Sequence, residues 1–219
     1  MRINRFIAQA TGLSRRAADT AVAERRVTLN DQVATLGTTV DQGDTVRLDQ
    51  RPLRLQTAQT IMLHKPTGYI TSRRQQGATP TVYALLPAHL HRLKPVGRLD
   101  RDSSGLLLMT NDGALAQQLQ HPRAGKWKHY NIRLDRPLTS TDRTHMLEGV
   151  NLDDGLSQLS LIGDGSQLTV KLQEGRNRQI RRSFAALGYQ VIALHRTQFG
   201  DYSLGKLRVG AWTQVEPHA

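Results

Sequence analysis

Gly97-Arg98-Leu99-Asp100 runs within a few residues into Ser103-Ser104-Gly105 and the apolar stretch Leu106 to Met109. That stretch reads as a buried strand, and Asn111-Asp112-Gly113 as the turn that ends it. Arg98 and Asp100 therefore stand at the mouth of a strand entering the core. An aspartate beside an apolar core usually has a partner or a task. The stretch alone leaves open whether Asp100 caps a turn or carries chemistry. A second charged cluster, Glu174-Gly175-Arg176-Asn177-Arg178-Gln179-Ile180-Arg181-Arg182, follows the alternating strand Leu168, Val170, Leu172. Four arginines in seven residues at a strand-to-helix junction are more than a solvated face requires. At least one should meet an anion, either a phosphate or the carboxylate of Asp100. Between the two clusters lies Lys128-His129-Tyr130, where Tyr130 shares a face with Ile132 and Leu134. From the residues alone Tyr130 reads first as a core side chain, with a ligand contact as the alternative. The eight histidines are scattered and show no H-E-x-x-H spacing, so a hydrolase pairing Asp100 with a histidine has little support.

Positioning these residues requires two groups of elements. Ile3, Phe6, Ile7 and Ala10 make one helix face, and Gly12 ends that helix. Ser14 is a suitable N-cap for a second helix from Arg15 to about Arg25, with Ala17, Ala18, Ala21 and Val22 inward. Arg15 and Arg16 fall in its first turn, where they oppose the macrodipole; a phosphate ligand would explain them. Val27 to Val33 reads as strand, Asn30-Asp31 turn and strand, and Val40 to Leu48 as a turn and an alternating strand. Residues 51–59 are polar and read as a linker. The second group begins with a strand, Thr60 to His64, ended by Lys65-Pro66-Thr67-Gly68, which puts Lys65 on a turn. Residues 71–80 read as an exposed basic loop and Val82 to Leu86 as a short helix. A helix from Ala114 to Gln120 follows, with Asp112 as its cap. Residues 138–165 carry weak signals: a helix near Thr141 to Leu147, then short strands with glycine turns, read as the variable part. Ile180, Phe184 and Leu187 define a helix face ended by Gly188. Val191 to Leu194 is a further strand, and Leu204 to Trp212 a turn and closing strand.

The 219 residues suffice for one ordinary domain and a small module. The formal charge is +12, and 24 of the 30 basic residues are arginine, whose planar fork suits phosphate oxygens and base edges. A polyanion, most simply nucleic acid, is the expected partner. No cysteine is present, which excludes disulfides, thiolate metal sites and cysteine nucleophiles. No apolar stretch approaches a membrane span and the N-terminus lacks a signal-like apolar region, so the expectation is a cytoplasmic protein. No extra interface element is visible, so a monomer is expected.

Two resemblances sharpen this. Residues 2 to 50, through Phe6, Ala10, Ser14-Arg15-Arg16, Ala18, Arg26-Val27, Leu29-Asn30 and Val40 to Val46, resemble an S4 RNA-binding module. Arg15, Arg16, Arg25 and Arg26 match its basic face; Asn30-Asp31 departs from the more usual Asn-Gly. Almost the whole chain is similar to the ribosomal-RNA pseudouridine synthases that carry such a module, the RsuA-like branch. That resemblance rests on Lys65-Pro66-Thr67-Gly68, Gly97-Arg98-Leu99-Asp100 with Gly105 to Leu108 and Thr110 to Gly113, Lys128-His129-Tyr130, the 174–182 cluster, His195-Arg196 and Leu204-Gly205. Ser103-Ser104 departs from the more usual Thr-Glu.

The resemblance implies an α+β protein: an S4 module at 1–50, a linker at 51–59, and a catalytic domain at 60–219 on a long mixed, mostly antiparallel sheet with flanking helices. It implies isomerisation of one uridine in ribosomal RNA or an assembly intermediate, without cofactor or metal. Asp100 would be the catalytic aspartate, Tyr130 the tyrosine stacked on the target uracil, and Arg181 the basic residue paired with the aspartate. Arg98 would help hold the everted nucleotide. Lys65, Lys128, Arg176, Arg178, Arg15, Arg16 and Arg26 are the further expected RNA contacts. The competing reading is a non-catalytic RNA-binding or ribosome-assembly protein, which leaves Asp100, Tyr130 and Arg181 at strand edges unexplained.

Overall fold

The computed structural model describes residues 1–121 and 125–217. Arg123 and Ala124, which precede the Lys128-His129-Tyr130 block, and His218 lie outside them. Backbone contacts divide the chain into two units: residues 1–59 with Arg92–Lys94 and Thr110–Gly113, and the remainder.

In the first unit α1 (Ile3–Thr11) ends at Gly12 in the left-handed conformation, and α2 spans Arg15–Ala23. The Ser14 side chain accepts from Ala17 N at 3.0 Å, the expected cap. The helix stops two residues short of Arg25, which takes φ 60°. Ala18, Ala21 and Val22 are buried against Ile3, Phe6 and Ile7, while Ala17 is exposed. A four-stranded antiparallel sheet follows, from β1 (Val27–Leu29), β2 (Gln32–Val33), β3 (Val46–Leu48) and β4 (Arg51–Pro52), in the order β2-β1-β3-β4. Asn30 and Asp31 are both left-handed, the geometry a two-residue hairpin demands, so Asp31 serves where glycine is usual. Arg51-Pro52, expected to open the linker, instead pairs with β3.

The second unit is built on a mixed, mostly antiparallel sheet. Its strands, in chain order, are β5 (Thr60–Lys65), β6 (Lys94–Pro95), β7 (Ser104–Thr110), β8 (Lys128–Leu134), β11 (Ser160–Ile162), β12 (Gln167–Leu172), β13 (Val191–Phe199), β14 (Tyr202–Ser203) and β15 (Trp212–Gln214). The main order is β11-β12-β8-β13-β7-β5-β15. Between β8 and β11 the chain forms α4 (Ser140–Glu148) and a separate hairpin, β9 (Val150–Leu152) with β10 (Gly155–Ser157). Helices α3 (Gly113–Gln120), α4 and α5 (Gln179–Ala186) flank the sheet.

β7 explains the apolar run. It is an inner strand, parallel to β13, and Leu106, Leu107, Leu108 and Met109 are all fully buried. A strand covered on both faces has no polar face to show. Each such side chain contributes about 1.5–3 kcal/mol of burial. Gly105 fits here because nothing larger can: a Cβ would lie 2.2 Å from Arg196 O, and φ is 107°. Among the described residues no helix is long and apolar enough to cross a membrane.

Candidate active site

The turn before β7 is tied from below by a buried lysine. Lys65 ends β5 with no solvent exposure, and its Nζ donates to the carbonyls of Pro66, Asp100 and Ser103 at 3.0, 2.9 and 2.7 Å. Burial pushes the ammonium down to about 8, against the pull of Asp100 and Asp102; Arg196 lowers it further. Thr71 Oγ1 donates to Leu99 O at 2.8 Å and accepts from Leu99 N at 3.2 Å. Gly68 N donates to Arg101 O at 2.7 Å. The Asp100 backbone is thus held in place while its carboxylate stays one-third exposed.

Lys65, expected as an RNA contact, is itself fully buried. Its three donors go to three backbone carbonyls of the protein. Sequence suggested a surface turn because the carbonyls come from residues up to 38 positions away.

Two arginines come onto the same turn from the start of α5. Arg178 occupies the left-handed N-cap position of that helix. Its Nη1 and Nη2 grip Asp102 Oδ1 and Oδ2 at 3.0 and 3.1 Å, and Nη1 lies 3.5 Å from Asp100 Oδ2. Arg181 donates through Nη1 to Val191 O at 2.6 Å and through Nη2 to Asp102 O at 2.9 Å, and its Nε is 3.2 Å from Asp102 Oδ2. Arg181, expected beside Asp100, is in direct contact with Asp102 and feels Asp100 only at longer range, while Arg178 comes within ion-pair distance of Asp100. Burial pushes the Asp102 carboxyl up, but Arg178 and Arg181 outweigh it and hold it below its usual range. Asp102 raises the Arg178 guanidinium, while burial pushes Arg181 down. Asp102 was not singled out in sequence, although the second carboxylate of Asp100-Arg101-Asp102 was there to be noticed.

Tyr130 is buried on β8 with Ile132 and Leu134, as its alternation indicated. In register it faces Arg196 on β13, which faces Gly105 on β7. Two strand spacings, about 10 Å, thus separate the Tyr130 backbone from the start of β7. Arg196 is buried and donates from Nε to Leu106 O at 2.8 Å, with its guanidinium 5.1 Å from the Phe199 ring centroid.

The other expected RNA contacts separate into two kinds. Arg98, Arg15 and Arg16 are exposed. Arg26, Arg176 and Lys128 are engaged within the protein. Arg26 binds both oxygens of Asp49 at 2.8 and 2.6 Å and Glu24 at 3.0 Å, and the two acids raise its pKa, Asp49 foremost. Arg176 binds the β9–β10 hairpin. Lys128 donates to Gln173 O and Glu174 O at 2.8 and 3.3 Å, and burial, with Arg196 adding, lowers it to about 8.

Comparison with known proteins gives the family. A family model described as RNA pseudouridylate synthase matches residues 59–186, and one described as S4 domain matches residues 1–46. An uncharacterized RNA pseudouridine synthase of Aquifex aeolicus is 34% identical over 227 residues, covering 98% of this chain and 90% of its own. Ribosomal large subunit pseudouridine synthase B of Pasteurella multocida is 35% identical, covering 98% and 67%. Ribosomal small subunit pseudouridine synthase A of Yersinia pestis is 34% identical, covering 93% and 89%. A crystal structure of a pseudouridylate synthase superposes with a TM-score of 0.71 at 30% identity, covering 99% of this chain and 96% of that one.

Proposed function

The chain belongs to the RNA pseudouridylate synthases and carries an S4 domain at its N-terminus, and from that premise we propose that it isomerises one specific uridine of ribosomal RNA, with Asp100 as the nucleophile. Relatives bear both large- and small-subunit names. The RsuA-like placement is part of the proposal, as is ribosomal RNA or an assembly intermediate as the partner.

The reaction moves no net atoms. The N1–C1′ bond breaks, a C5–C1′ bond forms, the C5 proton leaves to solvent, and N1 takes up a proton. The observation that carries the assignment is a carboxylate left partly open on a backbone fixed at Asp100 O by Lys65, with Arg178 at 3.5 Å. A nucleophilic carboxylate must be ionised, and an adjacent guanidinium favours that form. Its attack, at the uracil ring or the sugar C1′, needs the base out of its stack. Eversion costs a few kcal/mol, and an aromatic side chain offsets part of it. Tyr130 is assigned that role, and its place in the Tyr130–Arg196–Gly105 row supports it. Arg98 and the exposed Arg15 and Arg16 hold phosphates, contributing affinity rather than base identity.

The test is tritium release from unmodified ribosomal RNA labelled at uracil C5. Release by wild type and none by D100N, with RNA binding kept by both, is the expected result. Equal release by D100N would remove Asp100 from the chemistry.

A further inference from the structure

We infer that Asp154, at the tip of the β9–β10 hairpin, is a positioning residue for the catalytic turn. The inference rests on the function proposed above and assigns a task to a segment whose sequence reads as variable. The Asp154 carboxylate has both oxygens engaged: Oδ1 accepts from Arg176 Nη1 at 2.8 Å and Oδ2 from Arg182 Nη2 at 2.7 Å. Arg176 also takes the hairpin carbonyls of Asp154, Gly155 and Leu156 at 3.1, 3.0 and 2.9 Å. Arg182 further binds Asp153 Oδ1 and, through Nε, Asn177 O at 2.9 Å.

Arg176 and Arg182 bracket Arg178 and Arg181 in the chain. One carboxylate therefore ties down both ends of the segment that grips Asp102 and approaches Asp100. Beneath the hairpin a buried polar cluster repeats the tie. Ser157 Oγ accepts from Gln179 Nε2 at 3.0 Å and from Ser183 Oγ at 2.8 Å, and all three residues are buried.

The tie has a physical purpose. Arg178 holds φ 47° without a side-chain cap, a conformation that a residue with a Cβ resists. Released from Asp154, the junction relaxes and carries the Arg178 guanidinium away from Asp102 and Asp100. The arginine cluster that looks like a phosphate grip thus divides by task. Arg178 and Arg181 face the catalytic turn, while Arg176 and Arg182 fasten the helix that presents them.

The test compares D154N with D153N. Asp153 makes the same charge change one residue away, is 84% exposed and touches only one end of the segment. Single-turnover tritium release is measured at saturating enzyme on C5-labelled transcripts of both ribosomal RNAs. Binding to the same transcripts is measured against salt for wild type, D154N and R182Q. D154N is expected to slow release about ten-fold or more, as misplaced catalytic groups do, with unchanged affinity and a melting point above the assay temperature. D153N should stay within about two-fold. R182Q should slow release and leave the salt slope unchanged. If D154N fails to fold, R182K, which keeps the charge and loses the fork, is expected to show the same slowing. A rate within about two-fold of wild type for whichever variant carries the test overturns the inference. So does a slope reduced by about one in R182Q, the mark of a phosphate contact. Wild type inactive on every transcript would instead defeat the proposed target, and the R182Q slope would still decide the brace.

Discussion

Arg15 and Arg16 stand exposed at the start of α2, with no acid hydrogen-bonded to either side chain among the described residues. Arg176 to Arg182 occupy a second, denser arginine-rich helix start, yet every arginine there is bound to a carboxylate of the chain. Residue type is alike in the two regions; the supply of anions differs. The catalytic unit brings Asp102 from the turn before β7, and Asp153 and Asp154 from the hairpin. Arginine in the first region is left to solvent, and in the second it becomes part of the scaffold. Arg26 shows that the division follows the acids rather than the unit, because Asp49 and Glu24 occupy it within the S4 region.

R181Q should break the contrast most severely. It removes the donors to Val191 O and Asp102 O and leaves the Asp102 carboxylate half-compensated. Single-turnover release is expected to fall about 10²-fold, with RNA affinity and its salt slope unchanged; a fall in affinity alone would return Arg181 to the RNA-binding set.

The Lys65 ammonium supplies the next largest effect. Above pH 8 it loses a proton and with it one donor to the Asp100 turn, so release should decline toward about ten-fold per further pH unit. Stability moves the opposite way. The folded pKa of about 8 lies below the ordinary 10.5, so between these values the unfolded chain holds a proton that the folded chain has lost, and stability rises with pH. Lys128 adds a similar slope to stability over the same window. K128M should remove its part of the slope in pH-dependent denaturant titrations and leave the alkaline decline in rate.

R15Q/R16Q should be the complement of R181Q. The salt slope of RNA binding is expected to fall by about one per residue, with the saturated rate unchanged. R26Q should be the mildest: the slope stays as it was and the melting point drops slightly, since the pairs it breaks are exposed.

Sequence reached the elements further than it reached the partnerships. β7, the Ser14 cap and the α5 junction were legible because each is written in consecutive residues. The fate of Lys65 was not, because its burial depends on carbonyls delivered by another strand's approach. The partners of Arg176 and Arg182 were hidden for a related reason. Glu174 is the one acid near at hand, beside Arg176; Asp153 and Asp154 lie more than 20 positions away, in a stretch whose short strands and glycine turns carry little periodic signal. Tyr130 was placed on the correct strand face by alternation alone. Its position opposite Arg196 needed the register of β8 against β13, including the shift between Arg196 and Gln198.

The pairing of β7 with β13, and of β5 with β15, also sets when the enzyme can come into being. Ser104 meets His195, and Leu63 meets Trp212, so both sides of the catalytic turn wait for strands made much later. During synthesis the most apolar strand of the chain leaves the ribosome well before β13, one of its two main neighbours, exists. Such long-range pairing folds slowly and leaves an unpaired apolar edge exposed to aggregation in the meantime. The same delay keeps a partly made chain from acting on RNA: its S4 domain can already be complete while the catalytic sheet is still open.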